Sequence, residues 1–222
     1  MPKTNFSSSF ELAKLSNDCS FLLTHLIRQN DGKTDEQAKD ILSQILDLFA
    51  TDPKPILKAS GTGWYHTSTA NIYNPTSGQF EEHITNKSVC FTESTLGGLQ
   101  AHSQIFNSKY GLAFSRYQLS KKGANPCINI HESIFRKKVE TSDGKTKYVY
   151  NFLPKPILPF VNVINDRFDS THEREWRYPG NLEFSYCDLV FVFCPKQDFE
   201  LFSLSQKAGM PVLFDLNFLN YM

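Results

Sequence analysis

The chain lacks the long apolar runs that would place it in or across a membrane. No stretch approaches the roughly 18 uninterrupted apolar residues of a membrane span. The opening residues, Met1 to Asn5, lack the apolar core of a signal peptide. We therefore expect a cytoplasmic protein that does not associate with membranes.

The chain also lacks an excess of charge of either sign. Lysine plus arginine and aspartate plus glutamate both number 23, which gives a formal net charge of zero. This balance argues against nucleic-acid binding driven by bulk charge, although a local basic groove is compatible with it.

Cysteine and histidine are arranged poorly for a metal centre or a disulfide framework. The five cysteines are odd in number, widely spaced and without a Cys-x-x-Cys pair. We expect them to be reduced core thiols. None of the six histidines stands at metal-ligand spacing from another histidine or a cysteine, so no metal cofactor is expected.

The standard nucleotide-site and hydrolase motifs are missing as well. There is no glycine-rich dinucleotide fingerprint, no phosphate-binding loop ending in Gly-Lys-Ser/Thr, no H-E-x-x-H and no G-x-S-x-G. The function must therefore be argued from other residue clusters.

The composition that is present indicates a globular protein with an aromatic core. Of the 222 residues, 40% are hydrophobic and 14% aromatic, including 19 phenylalanines. Without an internal repeat or a clear linker, the default is one mixed α/β (α+β) domain over residues 1–222, with its core at about 20–215.

Local patterns predict several elements. Thr34 and Gln37 form a capping box for a helix whose apolar face runs from Ala38 to Phe49, before Pro53 and Pro55. Residues 60–86 suggest a long irregular excursion. The prolines at 154, 156 and 159 indicate either an extended segment or a break. A hairpin is predicted around 142–145, and a β-α-β ending with its helix at 197–208.

Strands are predicted at 56–59, 89–93, 110–114, 127–130, 189–193 and 211–215, whereas 21–28 is ambiguous between strand and helix.

The densest cluster of potentially functional side chains is the run from His172 to Tyr178, which Pro179 and Gly180 follow. In an extended chain, Glu173, Glu175 and Arg177 share one face. Two carboxylates two residues apart could have distinct catalytic roles, one holding a substrate hydroxyl and the other stabilising developing positive charge. Alternatively, the run is an edge strand with a solvated ion-pair ladder, in which Arg177 holds a glutamate ionised.

Several segments, taken in order, resemble a known family. They are Thr24–Arg28 with Asp31–Lys33, then Ile56–Ser60, Val89–Leu96, Tyr110–Ser115, Lys122–Pro126 and finally Glu173–Pro179. This order is similar to that of the bacterial abortive-infection family AbiGi, whose members are associated with phage resistance and carry an antitoxin label. The resemblance covers most of residues 20–180 and implies a phage-defence protein with a cognate toxin or another defence-system protein as its partner.

The same order resembles, at the level of the fold, the ADP-ribosyltransferases, which have a central split sheet and use NAD. That resemblance implies that His25 holds the adenosine ribose and Phe91 lies at the nicotinamide wall. Glu175 would be the catalytic glutamate, and Glu173 would orient or deprotonate an acceptor.

The chain departs from that pattern at two positions. Ile27 stands where the pattern has a threonine, and no tyrosine stands at the position of Phe91. His66, in Tyr65–Ser68, is a rival for His25, but residues 71–78 after it look like a loop rather than the helix that should follow.

Three functions therefore remain open. The chain is an NAD-using effector that depends on Glu175 and His25, a non-catalytic antitoxin or regulator, or a nucleotide- or nucleic-acid-binding defence component. In the third, Arg28, Arg174 and Arg177 would contact phosphate. His25 could equally be a core histidine, and Arg28 or Arg177 could pair with nearby acids instead of a ligand.

Overall fold

A computed structural model describes residues 20–61, 69–84, 87–142, 144–167, 171, 174–203 and 211–221. His66, His172 and Glu173, considered above, lie outside these residues, as does Cys19, one of the five cysteines. The described chain contains helices and a seven-stranded mixed sheet with smaller sheets, which confirms the mixed α/β prediction.

The elements lie at the following positions. The strands are β1 (Leu22–Leu26), β2 (Ile56–Leu57), β3 (Thr69–Asn74), β4 (Gln79–Ile84), β5 (Ser88–Glu93), β6 (Gly111–Ser115), β7 (Asn125–Pro126), β8 (Ile128–His131), β9 (Lys138–Glu140), β10 (Thr146–Tyr148), β11 (Val161–Ile164), β12 (Glu175–Pro179), β13 (Leu182–Glu183), β14 (Leu189–Phe193) and β15 (Val212–Phe214). The α-helices are α1 (Asp35–Leu46), α2 (Leu96–Ile105), α3 (Arg116–Lys122), α4 (Glu132–Phe135) and α5 (Phe199–Ser203). Segments of 3-10 helix cover Val149–Phe152, Lys155–Phe160, Tyr186–Asp188, Lys196–Asp198 and Leu216–Tyr221.

Contacts divide the chain into two compact units. The first comprises residues 1–57, 91–122 and 182–222, and the second comprises residues 58–90 and 123–181. The seven strands of the largest sheet follow the order β15-β14-β6-β1-β5-β12-β7. The single-domain organisation stays a prediction.

The first unit is built on antiparallel pairs with one parallel pair at the end. β1 pairs antiparallel with β5 and with β6, and β14 pairs antiparallel with β6. β14 and β15 are parallel, as the predicted β-α-β ending requires. Its helix, however, covers Phe199–Ser203, and residues 204–208 of the prediction lie outside the described residues. One cluster of the core consists of Leu99, Ala113, Phe193, Leu216 and Leu219.

Helix α1 forms where the capping box predicts it. The Thr34 side chain accepts from the Gln37 amide, and the Gln37 side chain accepts from the Thr34 amide. Its predicted end was wrong: the helix stops at Leu46, where Asp47 turns into the left-handed region at φ 51°. Phe49 therefore lies beyond the helix and is 76% exposed instead of part of the apolar face.

Over residues 69–84 the second unit forms a hairpin instead of the predicted irregular excursion. Residues 62–68, 85 and 86 of that prediction lie outside the described residues. β3 and β4 pair antiparallel over six residue pairs, so residues 71–74 are strand. Ala70 and Ile72 alternate with exposed Asn71, which buries one face of an otherwise polar strand. The turn closes through the Gly78 amide, which donates to the Asn74 carbonyl at 2.8 Å, and Gly78 takes the positive φ that the turn requires.

Other pairings complete the second unit. β9 and β10 form the hairpin predicted around 142–145, and β8 and β11 are parallel. For the proline segment the extended alternative was wrong, because Lys155–Phe160 is a 3-10 helix that buries Leu158 and Pro159. The fixed φ of proline fits that tight helix as well as it fits an extended chain.

The capping box gives a test of local helix stability. We expect Thr34→Ala to lower the free energy of unfolding by about 1 kcal/mol, because the Gln37 amide loses its acceptor. Urea unfolding followed by far-ultraviolet circular dichroism measures the change. The exposed Thr51→Ala is the matched control, and an equal loss in both variants would contradict the capping role.

Candidate functional site

His25 and Phe91 are brought together on neighbouring strands of the first unit. The β1–β5 register pairs Leu23 with Glu93 and Thr24 with Thr92, and its continuation sets His25 opposite Phe91. Their rings meet edge to face, with centroids 6.0 Å apart and an interplanar angle of 64°. Two residues to which the resemblance gives cofactor roles therefore lie next to each other, and those roles stay predictions.

Phe91 is nevertheless a core residue. Its side chain is 1% exposed and packs edge to face on Phe114 at a centroid distance of 5.6 Å. His25 is half-buried, whereas Ile27 is 6% exposed and apolar where a ribose-binding hydroxyl would be needed. The ring of Phe91 thus stabilises the sheet, and its contact with nicotinamide stays a prediction.

Arg28 lies over an aromatic ring. Its guanidinium carbon is 4.0 Å from the centroid of Phe106, a cation–π distance. The residue is exposed at the end of β1. Packing on Phe106 therefore accounts for its position, and a role in binding a phosphate stays a prediction.

Glu175 and Arg177 form a bidentate ion pair in the second unit. The Arg177 Nε donates to Glu175 Oε1 and its Nη2 donates to Oε2, both at 2.9 Å. The two residues share one face of β12, as the two-residue spacing predicts. The Arg177 side chain is only 3% exposed and the Glu175 side chain 14%, so for these two residues the alternative of a solvated ladder was wrong.

The rest of the Arg177 guanidinium is bound by the backbone. Its Nη1 donates to the carbonyl of Val161 at 2.9 Å and to that of Pro159 at 3.2 Å. A buried guanidinium needs acceptors for its N–H groups. The two carbonyls add acceptors to those that the carboxylate supplies. Arg177 therefore joins β12 to the end of the 3-10 helix Lys155–Phe160 and the start of β11.

Two thiols surround the same carboxylate. Burial opposes ionisation of Glu175, but the hydrogen bonds and charge of Arg177, with hydrogen bonds from Cys90 and Cys127, outweigh it and hold its pKa below the ordinary value. Burial, aided by the Glu175 charge, raises the pKa of Cys127, so this thiol stays protonated at neutral pH. The cluster is an ionised carboxylate enclosed by donors, without a thiolate nucleophile at Cys127.

In this arrangement the Glu175 carboxylate has a structural role. A catalytic glutamate in ADP-ribosyl transfer would have to accept a hydrogen bond from the nicotinamide ribose. Both oxygens of Glu175 already accept from Arg177, in a bond type that is strong and geometrically specific. Because Cys90 and Cys127 donate to the same carboxylate, a substrate hydroxyl would have to compete with donors that are already in place.

The sequence did not indicate one further feature, a polar cavity of about 100 Å³ in the first unit. It lies where the end of α2 meets the 3-10 helix Leu216–Tyr221. Its lining includes Gln104, Lys109, Asp215, Asn217 and Asn220. These residues come from separate segments without a shared motif, so no sequence signal could have revealed the cavity.

Within the described ranges, no group of three or more His, Cys, Asp or Glu is placed to hold a metal ion. Over the same part of the chain, no helix is both long enough and apolar enough to cross a membrane.

Comparison of the chain with protein-family models, with curated proteins and with solved structures gave no match. The resemblances to AbiGi and to the ADP-ribosyltransferases therefore stay predictions.

The ion pair predicts the cost of removing either partner. We expect Arg177→Met and Glu175→Gln each to lower the free energy of unfolding by about 3–5 kcal/mol. The first variant leaves the buried Glu175 carboxylate without its ionic partner, and the second does the same to the Arg177 guanidinium. The double variant should lose less than the sum of the two. Urea denaturation measures all three.

Arg174→Met is the matched control, since Arg174 is exposed and stands three residues away on the same segment. If the control destabilised the protein as much as Arg177→Met does, the buried pair would not be the cause.

The same pair predicts a dependence of stability on pH. The pKa of Glu175 is lower in the folded protein than in the unfolded chain, where it is about 4.3. Its contribution should be complete above that value and should be lost as the pH falls through the folded pKa.

The urea midpoint of the wild type should fall more steeply between about pH 5 and about pH 3 than that of Glu175→Gln. The exposed Glu82→Gln should retain the wild-type steepness. Parallel curves for wild type and Glu175→Gln would show that Glu175 does not contribute.

Proposed function

We propose that this chain is a bacterial phage-defence protein of the AbiGi type that acts as a non-catalytic antitoxin or regulator by binding a partner protein. The proposal that the protein is non-catalytic rests on one observation, the bidentate ion pair between Glu175 and Arg177. The phage-defence setting rests on the order of the family-like segments.

The positions of those segments support the setting. Most of them fall on β1, β5, β6, the turn at Gly123 and β12, which are strands or connections of the largest sheet. Ile56–Ser60 instead falls on β2, which pairs with β13 in a separate two-stranded sheet. An ordered set of motifs that falls mainly on the elements of one sheet is what a shared fold would require. It is support by analogy with a family and says nothing by itself about chemistry.

The chemistry argues for binding over turnover. General catalysis by a carboxylate needs free lone pairs directed at the substrate. At Glu175 those positions are taken by Arg177 and the thiols of Cys90 and Cys127. Burial of Phe91 and the apolar Ile27 remove two further contacts that NAD would use.

A second candidate is an NAD-using ADP-ribosyltransferase-like effector with a split-sheet fold. The contact between His25 and Phe91 favours it, since the two residues that would hold the cofactor are adjacent. In that case NAD is the cofactor, and Glu173 and Glu175 would act with His25.

Co-expression tests the proposal. We expect the wild-type chain to leave bacterial growth and cellular NAD unchanged when it is expressed alone. When it is expressed with the toxic product of an adjacent gene, it should restore growth and purify with that product in a defined complex. Growth curves, an NAD assay and light scattering of the purified complex give the three readings.

His25→Ala separates the two candidates without touching the buried ion pair. Growth arrest with NAD loss in the wild type, abolished by His25→Ala in a protein that still folds, would overturn the non-catalytic proposal in favour of the effector. Glu175→Gln is less informative, because the variant is expected to be destabilised.

A further inference from the structure

We draw no further inference here: the strongest candidate, the polar cavity between the end of α2 and the 3-10 helix Leu216–Tyr221, has its charged residues Lys109 and Asp215 already bound to Asp35 and to backbone amides, and nothing in the described part of the chain shows which ligand it would take.

Discussion

The second unit depends on how one buried guanidinium is neutralised. Arg177 is 2% exposed, and a charge so far from water is tolerated only if its donors are paired. Glu175 supplies two acceptors, and the carbonyls of Pro159 and Val161 supply two more. The charge thereby links β12 to a segment 16 to 18 residues earlier, and it fixes what Glu175 can do.

That constraint supports a structural role for Glu175 among the alternatives that the sequence left open. A run of alternating charges beside a proline-glycine turn looks like a substrate-facing strand, and the same residues can equally form a buried structural pair. The geometry favours the pair, because both carboxylate oxygens accept from one guanidinium and Cys90 and Cys127 donate to the same group. The groups that favour NAD are His25 and Phe91, whose rings are in contact.

Local rules predicted the parts of the fold that local interactions determine. The capping box at Thr34, the apolar strand at Leu189–Phe193 and the shared face of Glu175 and Arg177 all follow from spacing alone. The hairpin of β3 and β4 was missed because Asn, Thr and Tyr give its strands a polar appearance. The burial of Arg177 could not be predicted, because its partners at Pro159 and Val161 are backbone carbonyls, which every residue carries.

The central claim is that Glu175 is ionised, enclosed and structural. A carbon-detected nuclear magnetic resonance titration of the Glu175 carboxylate, with and without NAD, tests it most directly. The account predicts a midpoint below the ordinary value of a glutamate and no change on adding NAD. A midpoint at or above the ordinary value, or a shift caused by NAD, would contradict it.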